Sequence, residues 1–220
     1  MKISDLKEND KNRMFETYDN WPEIALNTFE TEIEKIDIKD IDHIVFAGMG
    51  GSGSLGDVIS SILSKEDIHV SVVKGYHLPK TIDSNSLIIT TSISGNTKET
   101  LSVLNDGLKS DAKIAAFSSG GRMEDFCKKN SIFYQNIPMI HSPRASFPKF
   151  LFSILKSLEE VIPIKNSDVR DSINGLNETK KNIFSGNLED NNISLRLASW
   201  IKNLPLIYYP WGLQSAAIRF

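Results

Sequence analysis

Two loops rich in small residues follow apolar runs in the sequence. The first is GMGGSG (residues 48–53), which comes directly after the apolar run HIVFA (residues 43–47). Glycines let a backbone approach a ligand closely, and the free N–H groups at a helix start favour negative charge. The pattern therefore predicts an anion-binding turn between a buried strand and a helix.

The second loop carries hydroxyl groups. It reads TTSISGNT (residues 90–97) and follows another apolar run, with Ser92, Ser94 and Thr97 around a predicted helix start. Hydroxyls and backbone N–H groups at a helix N-terminus can hold a phosphate monoester without a lysine. We therefore interpret this segment as a phosphate cradle.

Helix capping explains part of the second loop. Asn96 followed three residues later by Glu99 fits a capping box, in which both side chains bond backbone N–H groups of the first turn. Capping accounts for these two residues but leaves the three hydroxyls unexplained.

Other interpretations of the glycine loop stay open. Its spacing satisfies the dinucleotide fingerprint G-x-G-x-x-G, which also needs an acid at the end of the second strand. Here that strand ends in VKG (residues 73–75), and no Lys-Ser/Thr pair follows the glycines as in a nucleoside-triphosphate loop. A dinucleotide-binding oxidoreductase remains an alternative, as does a tight turn with no ligand.

A series of strands and helices must position these loops. Apolar runs at residues 43–47, 69–73, 86–92, 113–118 and 132–137 alternate with helical segments. This alternation predicts α/β architecture, with five parallel strands in a three-layer α/β/α sandwich. Because loops that follow parallel strands share one edge, the two loops face each other if the first and third strands are neighbours.

The sequence outside this alternation suggests further units. Apolar spacing over residues 11–35 predicts helices, with Pro22 separating two of them, and the last residues contain one strand (LPLIYYP) and part of a helix. Because a single strand cannot bury both faces, either this strand joins the first domain or, as we expect, the sequence stops before its natural second domain does. The expected divisions are an N-terminal helical segment (1–42), an α/β domain (43–162), a linker with a helix (163–193) and an incomplete second unit (194–220).

Composition excludes several classes of protein. The 220 residues carry 25 Lys and Arg against 28 Asp and Glu, a net charge of −3, which lacks the basic character of a nucleic-acid binder. The single cysteine, Cys127, excludes an internal disulfide or a multi-cysteine metal site, and we expect it to be a half-buried bystander. With no apolar run near the ~18–20 residues that span a bilayer, we expect a cytoplasmic protein without membrane or nucleic-acid partners.

Three segments taken together resemble one family. GMGGSG, SISGNT and HSPRASFP (residues 141–148) occur in the order found in the sugar isomerase (SIS) domain family, and resemble its archaeal-type bifunctional phosphoglucose/phosphomannose isomerases. The resemblance implies a flavodoxin-like SIS fold, two such domains per chain and a homodimer. It also implies metal-free and cofactor-free interconversion of glucose 6-phosphate or mannose 6-phosphate with fructose 6-phosphate.

The resemblance also implies residue roles. Arg144 matches the arginine beside the reacting carbons, and its permanently charged guanidinium suits stabilisation of an enediolate oxyanion. The alternative for Arg144 is a surface arginine in a proline-flanked loop. The substrate-binding residues implied by the resemblance are Gly50, Gly51, Ser52, Ser92, Ser94, Thr97 and Arg144.

The general base and ring-opening acid are not assigned within the sequence. The resemblance places a glutamate and a histidine for these roles after the segment that ends at Phe220. We do not transfer the roles to Glu99 or to the four histidines. A non-catalytic sugar-phosphate-binding SIS module therefore stays open as an alternative function.

Overall fold

The computed structural model describes residues 3–201. The predicted strand LPLIYYP and the helix after it lie outside these residues. The described elements are α1 (Ile3–Asn9), α2 (Met14–Asp19), α3 (Trp21–Glu30), β1 (His43–Ala47), α4 (Gly51–Ile62), β2 (His69–Val73), β3 (Ser86–Ser92), α5 (Lys98–Gly107), β4 (Lys113–Ser118), α6 (Arg122–Asn130), β5 (Phe133–Asn136), α7 (Phe147–Ser157), α8 (Asn166–Ile183) and α9 (Ile193–Trp200).

The five strands form one parallel sheet in the order β2-β1-β3-β4-β5. β1 and β3 are buried along their whole length, as their continuous apolar runs predict for strands covered on both faces. The order confirms the predicted parallel sheet and places β1 beside β3. It is the order of flavodoxin-like sheets.

Helices cover both faces of the sheet because side chains along β1 alternate between them. Ile44 and Phe46 belong to a large core with α3, α4, α7 and α8. Val45 and Ala47 pack in a smaller core with Val103 of α5 on the opposite face. The chain therefore leaves β1 towards one face and β3 towards the other, which confirms the predicted three-layer sandwich.

The N-terminal helices divide at the expected place. α2 ends at Asp19, and Pro22 lies in the first turn of α3, where its missing N–H needs no partner. α3 packs against α7 and α8. Farther on, Ile36 is buried and its N–H donates to the Ser157 carbonyl at 2.8 Å, which attaches the link between α3 and β1 to the end of α7.

Two further observations concern the burial of Cys127 and the expectation that no segment spans a membrane. Cys127 is fully buried rather than half-buried, because α6 turns it into a core with Leu104, Ala116 and Met123. Burial raises the pKa of its thiol to about 12, so the thiol is protonated at neutral pH. Across residues 3–201, no helix combines the length and the apolar character needed to cross a membrane.

Candidate functional site

The glycine loop turns sharply between β1 and α4. Gly50 has φ +54°, a region that favours glycine, and a Cβ on Gly48 would lie 2.8 Å from the Ser52 carbonyl carbon. A Cβ on Gly53 would lie 2.7 Å from the Gly48 oxygen. These glycines are therefore required by the close approach of the turn to the first turn of α4.

The top of the same loop is open. Gly50 and Gly51 are exposed, and a Cβ added at either position would meet nothing within 4 Å. Ser52 is half-buried, and no described hydrogen bond occupies its hydroxyl within residues 3–201. This part of the loop can accept a ligand against its backbone.

The hydroxyl loop brings two of its three predicted groups together. The Ser92 Oγ and Thr97 Oγ1 atoms are 2.8 Å apart, with Ser92 buried and Thr97 half-buried. In such a pair one hydroxyl donates to the other, which leaves one O–H free to donate. Ser94 is exposed beside them.

The predicted capping box is wrong. Thr97, not Asn96, is the N-cap residue of α5, and it makes no side-chain cap because its hydroxyl bonds Ser92. Asn96 instead accepts from the Arg122 N–H at 3.2 Å and donates to the Ser94 carbonyl at 2.9 Å. Glu99 hydrogen-bonds Tyr76.

The start of α5 consequently presents free donors. Its first i to i−4 bond runs from the Leu101 N–H to the Thr97 carbonyl at 3.0 Å. The N–H groups of residues 98–100 come before that bond and have no acceptor of this kind. With the helix dipole, they favour an anion at the hydroxyl loop.

The loop after β4 supports the hydroxyl loop from behind. Gly95 has φ +66°, and a Cβ there would overlap the Gly120 carbonyl oxygen. The Met123 N–H donates to the Gly95 carbonyl at 2.9 Å, and the Ser119 N–H to the Ile93 carbonyl at 3.1 Å. These contacts fix the backbone on which Ser94 is carried.

Ser52 and Ser94 follow the carboxyl ends of adjacent parallel strands. Ala47 at the end of β1 pairs with Thr90 in β3, so both loops leave the same edge of the sheet. Neighbouring strands are about 4.8 Å apart. The structure thus brings the glycine loop and the hydroxyl loop together at this edge, which we name the carboxyl edge.

Arg144 lies in a turn just before α7. The Trp21 indole N–H donates to the Ala145 carbonyl at 2.9 Å, and the buried Ser146 hydroxyl donates to the Ile140 or Ser142 carbonyl, at 2.9 and 2.8 Å. The turn is therefore anchored, whereas the Arg144 side chain is exposed. Within residues 3–201 its guanidinium has no hydrogen bond or ion pair, and no described contact joins it to either loop.

The segment after β2 contributes contacts that sequence reasoning missed. Tyr76 hydrogen-bonds Glu99 in the first turn of α5, which raises the pKa of the tyrosine. Lys74 places its ammonium 2.8 Å from both carboxylate oxygens of Asp57 on α4. The adjacency of Lys74 to the end of a predicted strand was visible in the sequence, but its partner 17 residues earlier was not.

A cavity of about 490 Å³ lies elsewhere, between α3, α7 and the segment after β5. Lys149 and Ser153 of α7 and Gln135 of β5 contribute to its wall. None of the predicted substrate residues lines it. The grouping of loops at the carboxyl edge, and not this cavity, is the candidate site.

Comparison with known proteins identifies relatives of this chain. The chain is 33% identical over 204 residues to a bifunctional phosphoglucose/phosphomannose isomerase of Caldicellulosiruptor bescii, covering 89% of this chain and 60% of that protein. It is 32% identical over 178 residues to the protein of the same name in Thermoplasma acidophilum, covering 81% and 53%. The chain is related to the bifunctional phosphoglucose/phosphomannose isomerases. It spans about half to three-fifths of the length of these relatives, and no protein-family model matches it.

Solved structures agree on the fold. The C-terminal domain of glucosamine-fructose-6-phosphate aminotransferase from Francisella tularensis matches with a TM-score of 0.56 and 17% identity, over 77% of this chain and 53% of that one. Tagatose-6-phosphate ketose/aldose isomerase from Escherichia coli matches with a TM-score of 0.51 and 15% identity, over 76% and 51%. The described residues therefore have the SIS-type α/β fold.

Proposed function

We propose that this chain binds a hexose 6-phosphate at the carboxyl edge. We further propose that the whole protein interconverts glucose 6-phosphate or mannose 6-phosphate with fructose 6-phosphate. The observation that carries the proposal is the Ser92–Thr97 hydroxyl pair at the start of α5, next to the open glycine loop on the neighbouring strand. The relatives' names agree with it.

The phosphate is assigned to the hydroxyl loop. Ser92, Ser94 and Thr97 would donate hydroxyl hydrogens to the phosphate oxygens, and the free N–H groups of residues 98–100 would add the field of the helix. The sugar is assigned to Gly50, Gly51 and Ser52, where the exposed backbone leaves room for a hydroxylated ring. Two neighbouring strands then hold the two ends of one substrate.

Arg144 is assigned to the reacting carbons. Aldose–ketose isomerisation removes a proton beside a carbonyl, forms an enediolate and returns a proton to the neighbouring carbon. A guanidinium beside the oxygen that gains negative charge lowers this barrier without a metal. The base and the ring-opening acid are expected after Phe220, so the proposed reaction belongs to the whole protein.

The remaining proposals concern organisation. We propose a homodimer that acts in the cytoplasm on a central sugar-phosphate pool. Residues 43–162 form the proposed substrate-binding SIS domain. The proposed second unit begins near residue 194.

One alternative keeps the binding site and changes the chemistry. A relative in Sulfolobus acidocaldarius, 24% identical over 208 residues, is named D-glucosamine-6-phosphate 4-epimerase. In this alternative, the chain would be a sugar-phosphate-binding module without isomerase activity and would use the same loops. The dinucleotide alternative is disfavoured, because Lys74 stands where that fold needs a ribose-binding acid and is paired with Asp57.

The phosphate assignment is tested at Thr97. Thr97→Val removes the hydroxyl and keeps the shape, and Thr97→Ser restores the hydroxyl. We expect Thr97→Val to weaken fructose 6-phosphate binding about tenfold or more, since hydrogen bonds to charged groups contribute about 1.5–3 kcal/mol. Calorimetry measures fructose 6-phosphate binding, and saturation-transfer NMR measures fructose. Equal losses for both ligands, or no rescue in Thr97→Ser, would contradict the assignment.

The role of Arg144 is tested in a chain extended past Phe220. We expect Arg144→Ala to lower kcat about 100-fold or more while changing KM little, because its charge acts on the enediolate more than on the bound sugar. Lys149→Ala on α7 is the control. An unchanged kcat for Arg144→Ala would remove the residue from the reaction.

A further inference from the structure

Three polar side chains converge at the opposite edge of the sheet, where the strands begin. His43 is the first residue of β1 and His69 the first residue of β2, and the two are paired in the parallel register. Ser71 lies two residues after His69, on the same face of β2. His43 is buried, whereas His69 is exposed to solvent. We name these three residues the histidine cluster.

The reactive atoms of the cluster lie close together. The His43 Nε2 is 2.9 Å from the Ser71 Oγ, and the His69 Nε2 is 3.2 Å from the same oxygen. The two imidazole rings are 4.7 Å apart between centroids. In a tetrahedral zinc site with bonds of about 2.05 Å, neighbouring ligand atoms are separated by about 3.3 Å. The two distances to the Ser71 oxygen approximate two edges of such a site.

Hydrogen-bond counting shows how the lone pairs of the cluster are used. The single hydroxyl hydrogen of Ser71 can be donated to only one of the two Nε2 atoms, so the other ring must donate to the oxygen. One imidazole therefore directs an Nε2 lone pair at the Ser71 hydroxyl, and a metal ion would take the place of that hydroxyl hydrogen. The second ring presents one after its proton moves to Nδ1, a tautomer change that leaves the ring neutral.

The surroundings of His43 act on a positive charge in both directions. Burial and the ring of His69 disfavour such a charge, whereas a hydrogen bond with the Thr81 backbone and the carboxylates of Asp42 and Asp83 favour it. Backbone partners of this kind commonly orient a metal-binding imidazole. Because His69 is exposed, solvent has access to the cluster from one side.

We propose that the histidine cluster binds a divalent transition metal ion, with zinc as the best match. The His43 and His69 Nε2 atoms would be the protein's nitrogen ligands, the Ser71 hydroxyl a third ligand, and water the fourth. Across residues 3–201, no three His, Cys, Asp or Glu side chains converge as a metal-binding group, so the serine and solvent complete the coordination.

The proposed metal site lies at the other end of β1 from the proposed substrate site. β1 is five residues long, and at about 3.3 Å per residue its two ends are about 13 Å apart. The ion would join β1 to β2, the strand at the edge of the sheet, and would thereby hold that edge in place. It leaves the expectation of metal-free isomerisation unchanged.

The experiment titrates the full 220-residue chain with Zn²⁺ by calorimetry at pH 7.5, in a buffer that does not bind zinc. We expect one ion per chain. The test variant is His69→Gln, which changes an exposed side chain, and the matched control is His77→Gln, another exposed histidine with a carboxylate (Asp106) nearby. We expect at least tenfold weaker binding for His69→Gln and less than a twofold change for His77→Gln.

A second measurement needs no variant. Long-range ¹H–¹⁵N NMR of the histidine rings follows each imidazole during the titration, and we expect the Nε2 resonances of His43 and His69 to shift together while those of His77 and His141 stay unchanged. Zinc should also raise the Tm of the unmodified chain and not that of His69→Gln. No saturable binding, equal affinity in His69→Gln, or shifts confined to His77 or His141 would overturn the proposal.

Discussion

The two edges of the sheet use similar residues in different ways. At the carboxyl edge, Ser52 and Ser94 are accessible, and the backbone at Gly51 faces open space. At the opposite edge, where the strands begin, polar groups bond one another, as when the buried Ser86 hydroxyl donates to the Asp83 carboxylate at 3.0 Å. The difference teaches that a hydroxyl at a strand end can either stay open to a ligand, as Ser94 does, or close a hydrogen-bonded group of the fold, as Ser86 does.

The largest expected effect concerns two glycines at the carboxyl edge. Gly95→Ala would place a methyl group on the Gly120 carbonyl at a positive φ, whereas Gly51→Ala meets nothing within 4 Å. We expect Gly95→Ala to lower the free energy of unfolding by more than about 3 kcal/mol. Gly51→Ala should leave it unchanged or raise it by up to about 1 kcal/mol, since alanine favours helix. Urea denaturation measures both.

Ligand binding provides a second test of the glycine positions. Gly51→Ala should weaken fructose 6-phosphate binding, because its methyl group occupies the space assigned to the sugar. If the two variants are equally stable, the hydroxyl loop is not supported by the loop after β4. If Gly51→Ala binds normally, the sugar lies elsewhere.

An intermediate effect is expected for two serines belonging to β3 and the loop that follows it. Ser86→Ala removes a buried hydroxyl that accepts from the Asp83 N–H and donates to its carboxylate, both at 3.0 Å, and should destabilise the fold by about 1–2 kcal/mol without altering ligand binding. Ser94→Ala should change stability by less than about 0.5 kcal/mol but weaken fructose 6-phosphate binding about tenfold. Denaturation and calorimetry on both variants give the comparison. If Ser86→Ala weakened ligand binding and Ser94→Ala destabilised the fold instead, the assignment of the ligand to the carboxyl edge would be wrong.

The smallest expected effect is spectroscopic and concerns Tyr76. Its hydrogen bond to Glu99 raises the pKa of the phenol, because ionisation would place two negative charges side by side. Glu99→Gln should bring that pKa back towards its ordinary value, near 10. Absorbance at about 295 nm during an alkaline titration detects the change, with Tyr76→Phe used to identify the signal. An unaltered titration in Glu99→Gln would mean that Glu99 does not interact with the Tyr76 phenol.

The sheet could be predicted from sequence because its signals are local. Buried parallel strands need continuous apolar runs, and HIVFA and SLIITTS are such runs bounded by glycine or serine loops. These runs do not themselves show that β1 and β3 are adjacent, which the structure establishes. Predictions of this kind depend on residues that are close in the sequence.

Contacts between distant residues account for the predictions that were wrong. Asn96 matches a capping signature, but the loop 26 residues later supplies the Arg122 N–H, and Asn96 bonds that group instead. Cys127 is followed by two lysines, which gave no sign of its complete burial. The anchor of the Arg144 turn comes from Trp21, more than 120 residues earlier, although a largely buried indole that needs an acceptor was a usable signal.

The path of the chain around β1 and β3 has a consequence for how such proteins can diversify. The gap between the two loops exists because the polypeptide departs from adjacent strands in opposite directions, so it does not depend on which side chains fill the interior. Replacing a handful of loop residues can therefore alter the candidate site while the hydrophobic layers stay as they are. Isomerases and an epimerase among the relatives of one scaffold are what this separation of architecture from chemistry allows.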